Sequence, residues 1–174
     1  FATATGFRAQ VKDSVNASLQ EISQKEFEFP FNYTSASITL SAGTAEYSLA
    51  TDFKVADWDS FRIAKDDSIS ADARLLRLIN YDTFIARFYE RDGNATSSDF
   101  SNPVYIYRTL SNKAGFSPIP DKAYTVNYNY FAFANDLVND TDTMSVPDQF
   151  KHVVIDGALY HTYMFRDNSQ QAAI

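Results

Sequence analysis

The sequence predicts an α+β fold: N- and C-terminal helices packed as a helical bundle, with a β-rich antiparallel insertion between them. Three observations lead to it. Residues 7–26 and 148–172 carry apolar side chains at helical spacing. Residues 37–79 and 103–134 break into short runs that are β-branched, aromatic or alternating, divided by turn residues. The 174 residues suit one domain spanning 1–174, and a chain of that size buries roughly 70% of its unfolded surface without staples.

In 7–26, Phe7, Val11, Val15, Leu19 and Ile22 fall on one narrow stripe, while Lys12, Asp13, Asn16, Gln20 and Gln24 take the other face. This is an amphipathic helix with one buried side, with Gly6 near its start and Pro30 beyond its end. The aromatics of FEFPFNY over 27–33 alternate, and Pro30 is excluded from a helix interior, so an extended segment is expected. SITLS over 37–41, GTAEYSL over 43–49 and WDSFRI over 58–63 read as a small antiparallel sheet, with a turn at Thr51-Asp52.

Asp66, Asp67 and Ser68 mark a loop, and RLLRLI over 74–79 reads as a strand. Asn80 then caps a short helix over 82–91 that turns Phe84, Ile85 and Phe88 inward. Residues 92–102 are rich in Gly, Asn and Ser and form a loop. PVYIYRTL over 103–110 and YTVNYNYFAFA over 124–134 are the strongest β signals; in the second, Tyr124, Val126, Tyr128 and Tyr130 share a face. NKAG over 112–115 suits a hairpin turn, and a proline-stiffened crossing follows. Residues 135–146 are a polar connector.

The last helix starts cleanly after Pro147. At about 100° per residue, Phe150, Val153, Val154, Ala158, Tyr160, Met164 and Phe165 gather on one broad face, where Gly157 and Ala158 permit close helix approach. Ile155, Leu159 and Tyr163 form a second apolar stripe on the opposite side. A surface helix ordinarily has one stripe. Helix 7–26 can cover one face. The second stripe is covered either by the short helix at 82–91 or by a neighbouring subunit.

Composition excludes several chemistries. With no cysteine there is no disulfide framework, thiol nucleophile or thiolate metal site, and an intracellular protein is expected. A net charge of −7 argues against electrostatic gripping of nucleic acid. No apolar run approaches the roughly 20 residues that span a membrane. The Asn-x-Ser/Thr triplets at Asn16, Asn32, Asn94 and Asn139 read as chance in a chain rich in these residues.

No catalytic constellation emerges. The two histidines, His152 and His161, lie nine positions apart on one helix and point in nearly opposite directions, so they cannot share a metal. His161 on the main face reads as a hydrogen-bonded core residue, and His152 beside the second stripe as an interface or surface residue. Asp57 and Asp59 could form a like-charge pair, but solvated strand-edge charges explain them better. The run Asp140-Thr141-Asp142-Thr143 lacks the glycine and distal glutamate of a calcium loop. No phosphate cradle or nucleophile elbow is present. No enzyme, cofactor or metal is therefore expected. Tyrosine and phenylalanine, 11 and 15 in number, are the types enriched in buried interface cores, and they favour an interaction protein.

Several collinear stretches carry a resemblance. VNASLQEI over 15–22 is followed by FEFPF over 27–31 and EYSLATDF over 46–53. IPDKAYTVNYNYF over 119–131, VPDQF over 146–150, IDGALY over 155–160 and FRDN over 165–168 come next. In this order they resemble the head-to-tail adaptor (tail tubular protein A-like, head-completion) proteins of short-tailed bacteriophages. The resemblance covers most of the chain. It implies a non-enzymatic virion protein of the phage neck, assembled in the host cytoplasm. It also implies a homo-oligomeric ring, usually dodecameric, between the portal and the tail nozzle, with DNA passing through the channel unbound during ejection. On that reading Ile155, Leu159 and Tyr163, with His152 beside them, form the subunit contact, the cover preferred here for the second stripe. Arg166, Asp167, Asn168, Gln170 and Gln171 are candidates for portal docking. The rival is a β-rich carbohydrate-binding or capsid/tail decoration module using exposed Tyr and Asn.

Overall fold

The structure is a computed structural model and describes residues 4–25, 27–64, 73–139 and 141–165. The fold is mixed α+β, with two sheets and four helices among the described residues. The chain divides into two compact units, one built from 1–32 with 132–174 and one from 33–131.

The first unit pairs α1 (Ala4–Gln24) with α4 (Lys151–Phe165). A 3-10 turn at Asp148–Phe150 leads into α4. Leu19, Ala134, Val146 and Val154 form the centre of its core, and Val15, Ile22, Phe31, Leu137 and Met144 pack around them. Leu19 and Val154 are both 1% exposed, each contributing about 1.5–3 kcal/mol of apolar burial.

The second unit holds two four-stranded sheets. In the first, β1 (Tyr33–Thr39), β8 (Thr125–Ala132), β3 (Phe53–Ile63) and β4 (Arg74–Leu75) lie in that order. β1 and β8 are antiparallel, running from the pair Tyr33–Phe131 to the pair Thr39–Thr125. The second sheet is ordered β2 (Glu46–Tyr47), β7 (Ala114–Ser117), β6 (Tyr105–Arg108) and β5 (Arg77–Ile79). Its β5–β6 pair is parallel and the others are antiparallel.

The alternation of β8 has the burial it predicts. Val126, Tyr128 and Tyr130 are buried and Thr125 and Asn127 exposed. Tyr128 stacks on Phe61 of β3 at 4.7 Å, and Phe61 stacks on Trp58 at 5.3 Å; such ring pairs add about 0.5–1.5 kcal/mol each beyond their burial. The turn before β3 is pinned by the same strand. Ala50 N donates to Tyr128 Oη (2.8 Å), and Tyr130 Oη donates to Asp52 Oδ1 (2.9 Å). Gly115 of β7 lies under the Tyr107 ring so closely that a Cβ would collide with it.

The predicted helical bundle at the chain ends, flanking one antiparallel β insertion, is corrected. The region expected as one helix at 82–91 folds in the β-rich unit as α2 (Tyr81–Arg87) and α3 (Tyr89–Gly93), divided at Phe88. Two helices, α1 and α4, make a pair and not a bundle. The strands fall into two sheets, one of them mixed. The runs at 37–41, 43–49 and 58–63 were expected to pair with each other. Instead β1 and β3 flank β8, while β2 joins the other sheet. Local alternation fixes which faces a strand buries, but long-range partner choice does not show in it. RLLRLI is likewise two strands. Leu76, 2% exposed, donates its N–H to Phe61 O, and Arg77 then donates to Val104 O, so the run passes from one sheet to the other.

Candidate functional site

The α1–α4 seam is made by small residues. The buried line of α1 is Ser14, Ser18, Leu19 and Ser23, and that of α4 is Val154 and Ala158. Gly157 lies against Ser18, where a Cβ would collide with the serine hydroxyl. Thr162 Oγ1 donates to Ala158 O (2.8 Å) and lies 3.1 Å from Ser14 Oγ, which donates to Gln10 O (3.0 Å). The buried Ser14 hydroxyl is thereby satisfied within its own helix. The apolar stripe expected on α1 is only partly inward: Leu19 is buried, Val15 and Ile22 are half-buried, and Val11 is exposed.

The polar face of α1 holds the connector that follows β8. Asn16 Oδ1 accepts from Leu137 N (2.9 Å), and its Nδ2 donates to Leu137 O (3.2 Å). Gln20 Nε2 donates to Ala134 O (3.0 Å) and Asp136 Oδ1 (2.9 Å), and Lys12 Nζ donates to Val138 O (2.8 Å). Ser23 Oγ accepts from Ala134 N (3.0 Å). Asp142 closes the connector by accepting from Val138 N (2.8 Å) and Asn139 N (2.7 Å), which holds its carboxyl below the usual range.

Because α4 buries only Val154 and Ala158 fully, most of its apolar side chains remain outside. Ile155 is 56% exposed and Leu159 48%. Tyr163 is half-buried and His152 exposed. Phe150, Val153, Tyr160, Met164 and Phe165 of the supposed main face are exposed as well. The structure therefore brings Ile155, Leu159 and Tyr163 together on one helix with two of the three uncovered. Arg166, Asp167, Asn168, Gln170 and Gln171 lie outside the described residues, as do Asp66, Asp67 and Asp140. His161 is 30% exposed, with Nε2 3.4 Å from Glu21 Oε2 but not hydrogen-bonded to it. The hydrogen bond expected of this histidine is thus not made at Nε2.

At the N-terminal end of α4 the same unit opens an apolar groove of about 680 Å³. Phe27, Phe29 and Phe31 form one wall, their rings 4.9 and 5.1 Å apart in succession; Ile22, Val146, Phe150 and Val153 line the rest. The sequence signal for it was the FEFPF alternation, read there as an extended segment. Pro30 instead opens a 3-10 turn, Pro30–Asn32, that bunches the rings.

The carboxylates are held structurally. Asp57 Oδ2 accepts from Tyr33 Oη (2.7 Å), a bond that raises the tyrosine pKa, and Asp57 Oδ1 accepts from Asp59 N (3.3 Å). A cleft of about 400 Å³ in the second unit, unmarked by any motif, contains Arg91, Asp92 and Asp99. There Asp92 Oδ1 takes both Nε (2.8 Å) and Nη2 (2.7 Å) of Arg91, and Nη2 also donates to Ser117 Oγ (2.8 Å). The guanidinium neutralises a buried carboxylate, and no nucleophile–base pair adjoins it. Among the described residues no group of three or more His, Asp or Glu could hold a metal ion, and no helix is long and apolar enough to cross a membrane.

A helix pair that leaves a row of large apolar side chains uncovered, beside a groove lined by phenylalanines, presents the kind of surface that marks an interaction site. The chain belongs to the SU10 adaptor protein family, whose model matches residues 3–174. It is thus a structural adaptor of the bacteriophage head–tail junction, acting through other virion proteins. No curated protein matches the chain.

Proposed function

We propose that the chain, acting as one adaptor domain over 1–174, is the subunit of a ring that joins the portal to the tail nozzle and surrounds the DNA ejection channel. The observation that carries this is the exposure of Ile155 and Leu159 in a member of an adaptor family. Their stripe, with Tyr163 and His152 beside it, is the subunit contact. It meets a different patch on the neighbour, because a contact between unlike patches closes into a ring when the rotation per subunit allows it. A dodecamer is the expected number. Arg166, Asp167, Asn168, Gln170 and Gln171 follow α4 directly in sequence and are assigned to portal docking. A net charge of −7 suits a channel past which DNA must slide, since like charge keeps phosphate from adhering.

Native mass of the purified protein, alone and with portal, tests the proposal. The expected result is a closed multimer, formed alone or on the portal. A protein that stays monomeric in both samples overturns it. Stabilisation by oligosaccharide under the same conditions would instead favour a carbohydrate-binding module.

A further inference from the structure

α4 offers one apolar patch and helps to wall another. Ile155, Leu159 and Tyr163 are spaced four apart and stand as one row along the helix. Val153 belongs to the same helix but lines the phenylalanine groove. At about 100° per residue it lies roughly 120° around the axis from Leu159, the middle of the row. Row and groove therefore occupy different sides of one helix, and both belong to the first compact unit. One copy can lend its row to a neighbour while its own groove receives the row of another.

The groove has the character of a site for a helix ridge. Among the described residues its lining is apolar but for Lys25 and Gln149. A small-molecule site orients its ligand with precisely placed polar groups, and a lining this apolar supplies few. A hydrophobic groove instead takes the apolar face of a helix, anchored by residues about one turn apart. The row has that spacing.

Charge favours a second copy as the source of the ridge. Asp156 is exposed and adjoins Ile155 on the flank of the row. Lys25, whose Nζ is 3.7 Å from Glu21 Oε1, lines the groove. A net charge of −7 sets like charges against each other in most contacts between copies. Row and groove bring opposite charges together, which favours this contact over others.

We infer that the phenylalanine groove of one copy takes the row Ile155, Leu159 and Tyr163 of the next. The pairing rests on the ring proposed above and names the unlike patch that the row meets.

Two full-length groove variants, Phe27→Asp and Val153→Asp, test it beside the row variant Leu159→Asp. Phe27 is 63% exposed and Val153 46%, so a charge at either place spoils the groove without entering the core. Native mass is read for each variant and for the parent, alone and with portal, and circular dichroism checks the fold. Each variant should lose the multimer. An equimolar mixture of Leu159→Asp with Val153→Asp should give a one-to-one dimer and nothing larger, because one intact row and one intact groove remain between them. A multimer of parent mass in both groove variants, or a mixture without the dimer, overturns the pairing and leaves the ring standing. A parent chain that is monomeric alone and with portal overturns the ring itself, and the pairing with it.

Discussion

Gly157 of α4 lies directly on Ser18 of α1, with no room for a Cβ between them. The contact sets how closely the two helices approach, and so how far Val154 and Leu19 sink into a shared core. Gly157→Val should lower stability by about 2 kcal/mol, the range for overpacking a close seam. Adding Ser18→Gly should recover a large part of that loss. Urea unfolding of the two single variants and the double variant measures the coupling; additive losses would show that the two positions do not limit each other.

Asn16 bonds both backbone groups of Leu137 from the face of α1 that a hydrophobicity pattern assigns to solvent. Asn16→Ala leaves a part-buried N–H and C=O unmatched, which costs about 1–3 kcal/mol. Faster amide exchange at Leu137, with exchange at the buried β8 positions unchanged, would locate the effect in the connector.

Leu159→Asp should leave the fold intact, because the side chain is already half exposed, while abolishing self-association through α4. Circular dichroism and native mass are read together. A variant that unfolds would show Leu159 to be core, and a ring of undiminished mass would place the subunit contact elsewhere.

Two groups set opposite pH limits. Backbone N–H groups of Asn139 and Val138 hold the Asp142 carboxyl below its ordinary value. Its contribution is present above the unfolded carboxylate pKa and is lost as pH falls through the depressed folded value. Asp142→Asn should flatten the acid limb of stability. Burial, then the hydrogen bond to Asp52, pushes the Tyr130 phenol up to about 12. That contribution is complete below the unfolded phenol pKa of about 10 and disappears as pH rises through the folded value. Tyr130→Phe should therefore remove a loss of stability that the parent shows on the alkaline side, followed by denaturation at fixed pH values.

How much of this the sequence disclosed depends on the range of the interaction. Asn80 accepting from Thr83 N, the buried face of β8 and the start of the last helix after Pro147 are local, and each follows from residues a few positions apart. Ile85, expected inward beside Phe84, is exposed, because α2 is short and buries a single residue, Phe84. The assignment of β2 to the second sheet depends on β7, far along the chain, and leaves no periodic trace. At the candidate site the sequence placed Ile155, Leu159 and Tyr163 on a second stripe, with its cover open between the helix at 82–91 and a neighbouring subunit. It put Val11 on the buried stripe of α1 and assigned no face to Ser14, Ser18 and Ser23, which are buried instead, because an apolar pattern does not count small hydroxyls that pack like small apolar groups. The phenylalanine groove was missed for a related reason, since a 3-10 turn gathers side chains that an extended segment would splay.

The seam between Ser14 and Thr162 joins positions 148 residues apart. During synthesis, at about 5–20 residues per second, α1 emerges on the order of ten seconds before the helix that completes its core. Until Val154 of that helix is made, Leu19 has no counterpart across the seam, so the core of the first unit closes only after almost the whole chain has been delivered.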